Sequence, residues 1–307
     1  MERLTSVIVP AFNEADGIEA RLQRLTAKLE ECFGDEYELI VVDDGSTDGT
    51  GKVLSRMHGW HPRLVVEEHP QNLGMDAAIR SGINMSNGDR LVTLDADLTY
   101  APEIVRALVD CIDAGADIAL ASPYMRGGRS VAVPLLRRTL SVWANRYLSF
   151  AVRGRIATLT SIVRAYNAKF ARTLLEGGAF EETTFGVLLE AYRRDAAIIE
   201  VPATLDWSEQ PASRGGRLKW RRLLAHTWDV LVAGVRVRPL LLAAIPGLIP
   251  GLLPLVTVTA VAAHASAAHL AIIIAATIAI QYASLGLLGF QFGGFLRSIY
   301  AHRSRTA

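Results

Sequence analysis

The chain has 307 residues, 32 basic against 31 acidic, and a formal net charge of +1, which leaves no global electrostatic case for binding nucleic acid. Apolar residues make up 50%, high for a water-soluble enzyme, and the excess is concentrated at the C-terminal end. Cys32 and Cys111 have neither a C-x-x-C neighbour nor a histidine at metal-ligand spacing, so they are expected to be reduced, helix-borne and structural.

Residues 5–9 read as a first strand, too short and too soon interrupted by Pro10 to be a signal peptide. After Pro10-Ala11-Phe12-Asn13-Glu14, one stripe of Ile18, Leu22, Leu25 and Leu29 predicts an amphipathic helix over 16–32. The plainer alternative for Asn13 and Glu14 is that they simply cap that helix. A second strand over 37–42 runs into Asp43-Asp44-Gly45-Ser46-Thr47-Asp48-Gly49-Thr50. Asp and Gly tolerate the backbone angles of such a turn, and Ser46, Thr47 or Asp48 can cap the helix that follows. A third strand is expected over 64–67, and Asn72-Leu73-Gly74 opens a helix to residue 85. Asn87-Gly88 then turns the chain into Leu91-Val92-Thr93-Leu94-Asp95-Ala96-Asp97, a strand ending in two carboxylates. A helix over 102–114 and a strand over 118–121 complete the first part.

This alternation predicts an α/β fold with a mostly parallel sheet and helices on both faces. Without G-x-G-x-x-G after the first strand, a dinucleotide-binding dehydrogenase is disfavoured. Ligands of such sheets bind outside the carboxyl ends of the strands, where Asp95 and Asp97 stand on one side of an extended chain. Two hard oxygen ligands so placed can hold Mg2+ or Mn2+ and leave coordination positions for phosphate and water. The plainer alternative is that Asp97 and Thr99 cap the helix near Pro102.

V-I-V-P-A-F-N-E, V-V-D-D-G-S-T-D-G-T, N-L-G-x-x-x-A and L-D-A-D, in this order and spacing, resemble the nucleotide-sugar domain of family-2 glycosyltransferases of GT-A fold. The resemblance implies that Pro10, Phe12, Glu14, Asp43, Asp44, Asn72, Gly74 and Ala96 bind the donor, and that a metal on Asp95 and Asp97, the expected catalytic pair, grips its diphosphate.

Between Asp117 and Glu176 there is no acidic residue, while Arg126, Arg129, Arg137, Arg138, Arg146, Arg153, Arg155, Arg164, Lys169 and Arg172 fall inside the interval. Residues 134–148 interleave arginine with Leu135, Leu136, Trp143 and Tyr147, the composition of a segment lying on an anionic membrane surface. A solvated surface helix would normally mix both charge signs. Residues 160–166 resemble the T-S-G-F-R-A-Y strand of polyprenyl-phosphate sugar synthases, with Ile162 and Val163 replacing Gly and Phe. Residues 180–194 are expected to be helical and 197–201 a strand. The loop Ser213-Arg214-Gly215-Gly216-Arg217-Leu218-Lys219 resembles that family's S-R-x-G-x-S-K, in which Arg and Lys meet phosphate.

No charge occurs from Pro239 to Ala263 or from Leu270 to Leu296, and each stretch exceeds the roughly 20 residues that cross a bilayer. Arg236 and Arg238 precede the first, Arg297, Arg303 and Arg305 follow the second, and 264–269 has no Lys or Arg. The distribution predicts a multi-pass membrane protein with two spans (240–263 and 270–296), catalytic domain and both termini cytosolic. Gly286, Gly289 and Gly293 suggest close helix packing, inside the hairpin or between subunits, so a homo-oligomer stays open.

Expected organisation is therefore a GT-A domain over 1–217, a juxtamembrane amphipathic helix over 218–238, a hairpin over 239–297 and a cytosolic tail over 298–307. The whole resembles polyisoprenyl-phosphate glycosyltransferases related to dolichyl-phosphate mannose synthase. It implies inverting transfer from a UDP- or GDP-linked sugar to a polyprenyl phosphate, with Arg126, Arg129, Arg164, Arg214 and Lys219 at the acceptor phosphate. Two departures from that pattern are Thr99, where the family has Gln, and Ala121-Ser122-Pro123, which lacks the arginine of G-S-R. The alternative is a family-2 enzyme with a hydroxyl acceptor, for which Glu181 or Glu182 is the candidate base. A non-enzymatic membrane adaptor is disfavoured by the intact D-x-D and D-D-G-S.

Overall fold

A computed structural model describes residues 3–57, 59–178 and 184–209. The chain divides into two compact units, Met1–Leu223 and Leu224–Ala307, and every element described below belongs to the first. The expected spans, the helix over 218–238, the loop 213–219 and Glu181 and Glu182 lie outside the described residues. Among the described residues no helix is long and apolar enough to cross a membrane.

The elements in chain order are β1 (Thr5–Ala11), α1 (Ile18–Phe33), β2 (Tyr37–Asp43), α2 (Thr50–Met57), β3 (Leu64–Glu68), α3 (Met75–Met85), β4 (Arg90–Thr93) and α4 (Ile104–Asp113). There follow β5 (Ile118–Ser122), β6 (Arg129–Val131), α5 (Leu135–Ala151), β7 (Arg164–Asn167), α6 (Ala168–Glu176), α7 (Thr184–Arg193), β8 (Ile198–Pro202) and β9 (Thr204–Asp206). Seven strands form one sheet in the order β3-β2-β1-β4-β7-β5-β8. Its pairings are parallel except those of β7, which runs antiparallel to both β4 and β5. The expected mostly parallel α/β architecture is the one observed.

The central strands read as unbroken apolar runs because both faces are covered. On one face Val7, Val9, Leu39, Val41 and Val92 share a core with Ile18, Leu22, Leu25 and Leu29 of α1, Leu54 and Met57 of α2, and Val105, Leu108, Val109 and Ile112 of α4. On the other, α3 packs on β1 and β2. There Gly82 lies so close to β1 that an added Cβ would overlap the Ile8 side chain.

Three elements escape a sequence reading. Strands β6 and β9, three residues each, are too short to show a period; they pair with each other in parallel, Arg129 opposite Thr204 and Val131 opposite Asp206. Helix α6 begins directly after β7, capped by Asn167, whose side chain accepts from the Lys169 and Phe170 amides.

The parallel register gathers strand ends along one edge. Ala11 pairs with Asp43, Asp43 with Glu68, and Ile8 with Thr93, so the chain leaving β1, β2, β3 and β4 emerges together. Antiparallel β7 begins opposite Thr93 and Leu120, which brings residues 158–163 to the same edge.

Gly82→Ala tests the tight seam between α3 and β1. Overpacking costs about 1–3 kcal/mol, and better helix propensity returns up to about 1 kcal/mol. The variant should therefore melt several degrees lower, and an unchanged or raised melting temperature would show that the seam has slack.

Candidate functional site

The edge is organised by the turn after β2. Asp44 is buried and accepts four bonds: the His69 ring at 2.8 Å and the Leu73 amide at 2.9 Å on Oδ1, the Asn72 side chain at 3.0 Å and the Gly74 amide at 2.8 Å on Oδ2. A carboxylate has about four lone-pair positions, so Asp44 is saturated by its own chain. A carboxylate only accepts, so a neutral His69 carries its proton on Nδ1 and takes the Ser81 hydroxyl at Nε2, 2.9 Å away. Asn72 and Gly74, expected as donor contacts, both bond Asp44. Asp43 differs: its Oδ1 accepts the amide and hydroxyl of Ser46, while its buried Oδ2 has no hydrogen-bond partner among the described residues.

The loop after β1 is laced to this turn. Asn13, at φ 57°, donates its amide to Ser46 Oγ at 2.9 Å and accepts the Thr47 amide at 2.8 Å; the Glu14 amide donates to Thr50 Oγ1 at 2.8 Å. Neither residue caps α1, whose N-cap is Gly17 without a side-chain bond. The Glu14 carboxylate meets Arg21 at 2.9 Å, and Arg21 Nε donates to the Ala96 carbonyl, also at 2.9 Å. Arg21 is a residue that sequence reasoning missed, and nothing in its local pattern signals that it clips the β1 loop to D-A-D. Pro10 is the penultimate residue of β1, and Phe12 beyond it is 42% exposed.

Asp95 and Asp97 follow β4 directly. Asp97 takes the Thr99 amide at 3.1 Å, but α4 begins only at Ile104 and Glu103 makes no side-chain cap, so Asp97 is not its cap. The Asp95 carboxyl is pushed up to about 8 by burial first, then by the charges of Asp97 and Glu14. Carboxylates massed in this way are stabilised by a cation. Among the described residues no group of three His, Cys, Asp or Glu side chains could hold a metal alone. The donor set fits a divalent ion whose remaining positions go to phosphate and water.

Arg137 of α5, which was absent from the expected site, feels the charge of Asp97. Burial lowers its pKa, while Asp97 and then Tyr124 act to raise it, which puts the guanidinium within electrostatic reach of both. The Tyr124 hydroxyl donates to Ser141 Oγ at 2.8 Å. Arg137 and Ser141 are four apart on one helix, the spacing that puts two side chains on one face. That spacing was the available signal. Tyr100, buried beside Asp95, has its hydroxyl pKa raised by desolvation against a hydrogen bond to Ser161.

The other expected cations scatter. Arg126 and Arg129 are exposed, near and on β6. Arg164, expected at the acceptor phosphate, is 1% exposed and donates to the Leu159 carbonyl at 2.9 Å and the Tyr166 hydroxyl at 3.5 Å. Its place in β7, flanked by β4 and β5, turns it inward as a support for the 158–161 loop. Arg155 stacks on Tyr192, and Arg172 donates to the Ser86 carbonyl. Of the two departures, Thr99 hands its carbonyl to the Asp206 amide, and Ser122 bonds Thr158 and the Met125 amide. Arg214 and Lys219 are outside the described residues.

Comparison with known proteins adds to this geometry. The model of the family described as Glycosyl transferase family 2 matches residues 6–176. A dolichol-phosphate mannosyltransferase of Pyrococcus furiosus is 31% identical over 205 residues, covering 65% of this chain and 55% of the relative. The chain thus spans little more than half of that protein's length. A polyprenol monophosphomannose synthase of Mycolicibacterium smegmatis is 31% identical over 238 residues, 74% of this chain and 87% of the relative. A solved glucosyl-3-phosphoglycerate synthase of Mycobacterium tuberculosis, in complex with Mn2+, UDP and glucosyl-3-phosphoglycerate, superposes with a TM-score of 0.54 at 21% identity, over 76% of this chain and 80% of that one. At that identity the likeness concerns the fold alone.

Asp44→Asn keeps the shape but faces an amide N–H2 against two donors. It should cost on the order of 3 kcal/mol, whereas Asn72→Ala, which removes one donor, should cost about 1 kcal/mol. Chemical denaturation measures both, and equal small losses would refute the saturated carboxylate as the organiser of these loops.

Proposed function

The chain belongs to glycosyl transferase family 2, and from that premise we propose that it moves a sugar from a nucleotide-sugar donor to a polyprenyl phosphate, with inversion at the anomeric carbon. The supporting observation is the gathering of charge: Asp95 and Asp97 follow β4 directly, and Arg137, whose helix bonds Tyr124 through Ser141, lies within electrostatic reach of Asp97. The matched relatives named for dolichol and polyprenol phosphate support the choice of acceptor.

The donor's nucleoside is assigned to the wall made by Pro10, Phe12, Glu14 and Asp43, behind which Asp44, Asn72, Gly74 and Arg21 hold the loops. Asp95 and Asp97 would hold Mg2+ or Mn2+, which neutralises the diphosphate as it departs. An acceptor phosphate oxygen attacks the anomeric carbon, and the bond to the diphosphate breaks with its electron pair leaving on the nucleoside diphosphate. A phosphate monoester is largely ionised near neutral pH, so positioning replaces proton removal. Arg137, with Arg126, Arg129, Arg214 and Lys219, supplies the positive charge that lets two anions approach.

Membrane attachment through spans 240–263 and 270–296, with the catalytic domain cytosolic, is part of this proposal. It draws support from α5, where Leu136, Trp143 and Phe150 are spaced by seven and are 58%, 45% and 49% exposed, with Arg138 and Arg146 alongside. A stripe of that composition suits the headgroup layer.

Transfer to a polyprenyl phosphate from a panel of nucleotide sugars tests the chemistry. Arg137→Ala should lower kcat/KM by about ten- to a hundredfold, since a charge-assisted contact contributes about 1.5–3 kcal/mol. Glu181→Gln and Glu182→Gln should leave it largely intact, and Asp97→Asn or excess chelator should abolish it. Dead glutamate variants with an acid-stable product would establish a hydroxyl acceptor instead. For topology, single cysteines placed near Arg238 and Arg303 should label only from the cytosolic side, and one at Ala267 only from outside; any other pattern removes the hairpin.

A further inference from the structure

The Arg137 guanidinium is oriented without an acid. Its central carbon lies over the Trp207 ring, 4.2 Å from the centroid, within cation–π reach. Among the described residues no carboxylate forms an ion pair with it. The manner of holding matters chemically. A salt bridge would occupy the planar fork of N–H donors, whereas an aromatic ring takes only the flat face and leaves the donor edge open to an anion.

Trp207 is itself fixed from two sides. Its amide donates to the Val131 carbonyl at 3.1 Å, and the preceding Asp206 amide donates to the Thr99 carbonyl at 2.8 Å. Leu205 bridges to Tyr100, and Thr204–Asp206 pairs with Arg129–Val131. The short β9 strand is thus hung on the segment that begins two residues after Asp97 and on β6. The ring therefore registers Arg137 against the D-x-D loop, although α5 and β4 are far apart in sequence.

We propose that Trp207 is a positioning residue that seats Arg137 by its flat face, so that the N–H edge is presented to the phosphate of the acceptor before that phosphate arrives. This rests on the reading that the acceptor carries a phosphate. The segment after β8, whose sequence shows no motif at 204–207, then has a role in acceptor capture, and Trp207 sets how tightly a phosphate is held without touching it.

A double-mutant cycle on the full chain in detergent separates this role from a merely structural one. Binding of geranyl phosphate would be measured by calorimetry for the wild type, Trp207→Phe, Trp207→Leu, Arg137→Ala and the double variant Trp207→Leu/Arg137→Ala. Trp207→Leu should weaken binding about three- to thirtyfold, Trp207→Phe should keep most of it, and Trp207→Leu should change nothing further once Arg137 is alanine. Equal losses in both backgrounds, or no rescue by phenylalanine at unchanged melting temperature, would overturn the seat. Sugar transfer to a polyprenyl phosphate, assayed in parallel, distinguishes the two levels. Wild-type transfer with an additive cycle removes the seat and keeps the acceptor; a coupled cycle with transfer to a hydroxyl keeps the seat and removes the acceptor. A wild type that does not bind geranyl phosphate overturns both.

Discussion

Asp44 carries a negative charge into the protein, and that charge is tolerable only because four donors converge on it. The donors come from the chain beyond β3 and from the entrance of α3, so one side chain ties the ends of two neighbouring strands. Through His69 the tie reaches Ser81, inside α3. The α3 helix is in turn held against β1 by the absence of a side chain at Gly82. A site assembled from four loops keeps its shape here because a buried network admits no half-satisfied state.

The same edge then concentrates negative charge. The charges of Asp97 and Glu14 both act on Asp95, and Arg21 pairs with Glu14 while also gripping the Ala96 carbonyl. Placing Asp95 at a covered strand end makes its ionised form expensive until a cation arrives. Some of the ten cations of the basic interval hold other parts of the chain. Arg164 is interior, Arg155 lies on an aromatic ring, and Arg172 is bound to a backbone carbonyl.

The half of the site built by α5 and β7 is organised differently from the donor half. Buried Asn145 accepts the Leu159 and Thr160 amides and donates to the Ser141 carbonyl and Thr160 hydroxyl. Glu200 of β8 accepts the Ala157 and Thr158 amides. These bonds fix the loop that supports Arg164 and puts Ser161 against Tyr100, and they link an exposed helix to the sheet by polar contacts. An apolar contact would fill space, whereas these directional bonds set the angle at which α5 presents Arg137.

The sequence by itself determined the α/β alternation, the mostly parallel sheet, the amphipathic first helix and the placing of Asp95 and Asp97 at a strand end. Each of these is a local matter of period, turn chemistry and the order of residues along one segment. What only the tertiary structure decided are relations between segments. That β7 runs antiparallel between β4 and β5 depends on which edge the returning chain meets, and no period records direction. That Asp44 is filled from within while Asp43 keeps a buried oxygen depends on loops about 30 residues apart. Arg164 and Arg137 look alike in the sequence, each an arginine in an acid-free interval. Packing turns the first inward, where it bonds the Leu159 carbonyl, and leaves the second on Trp207, 70 residues further on, because a side chain's role follows from what the fold brings against it.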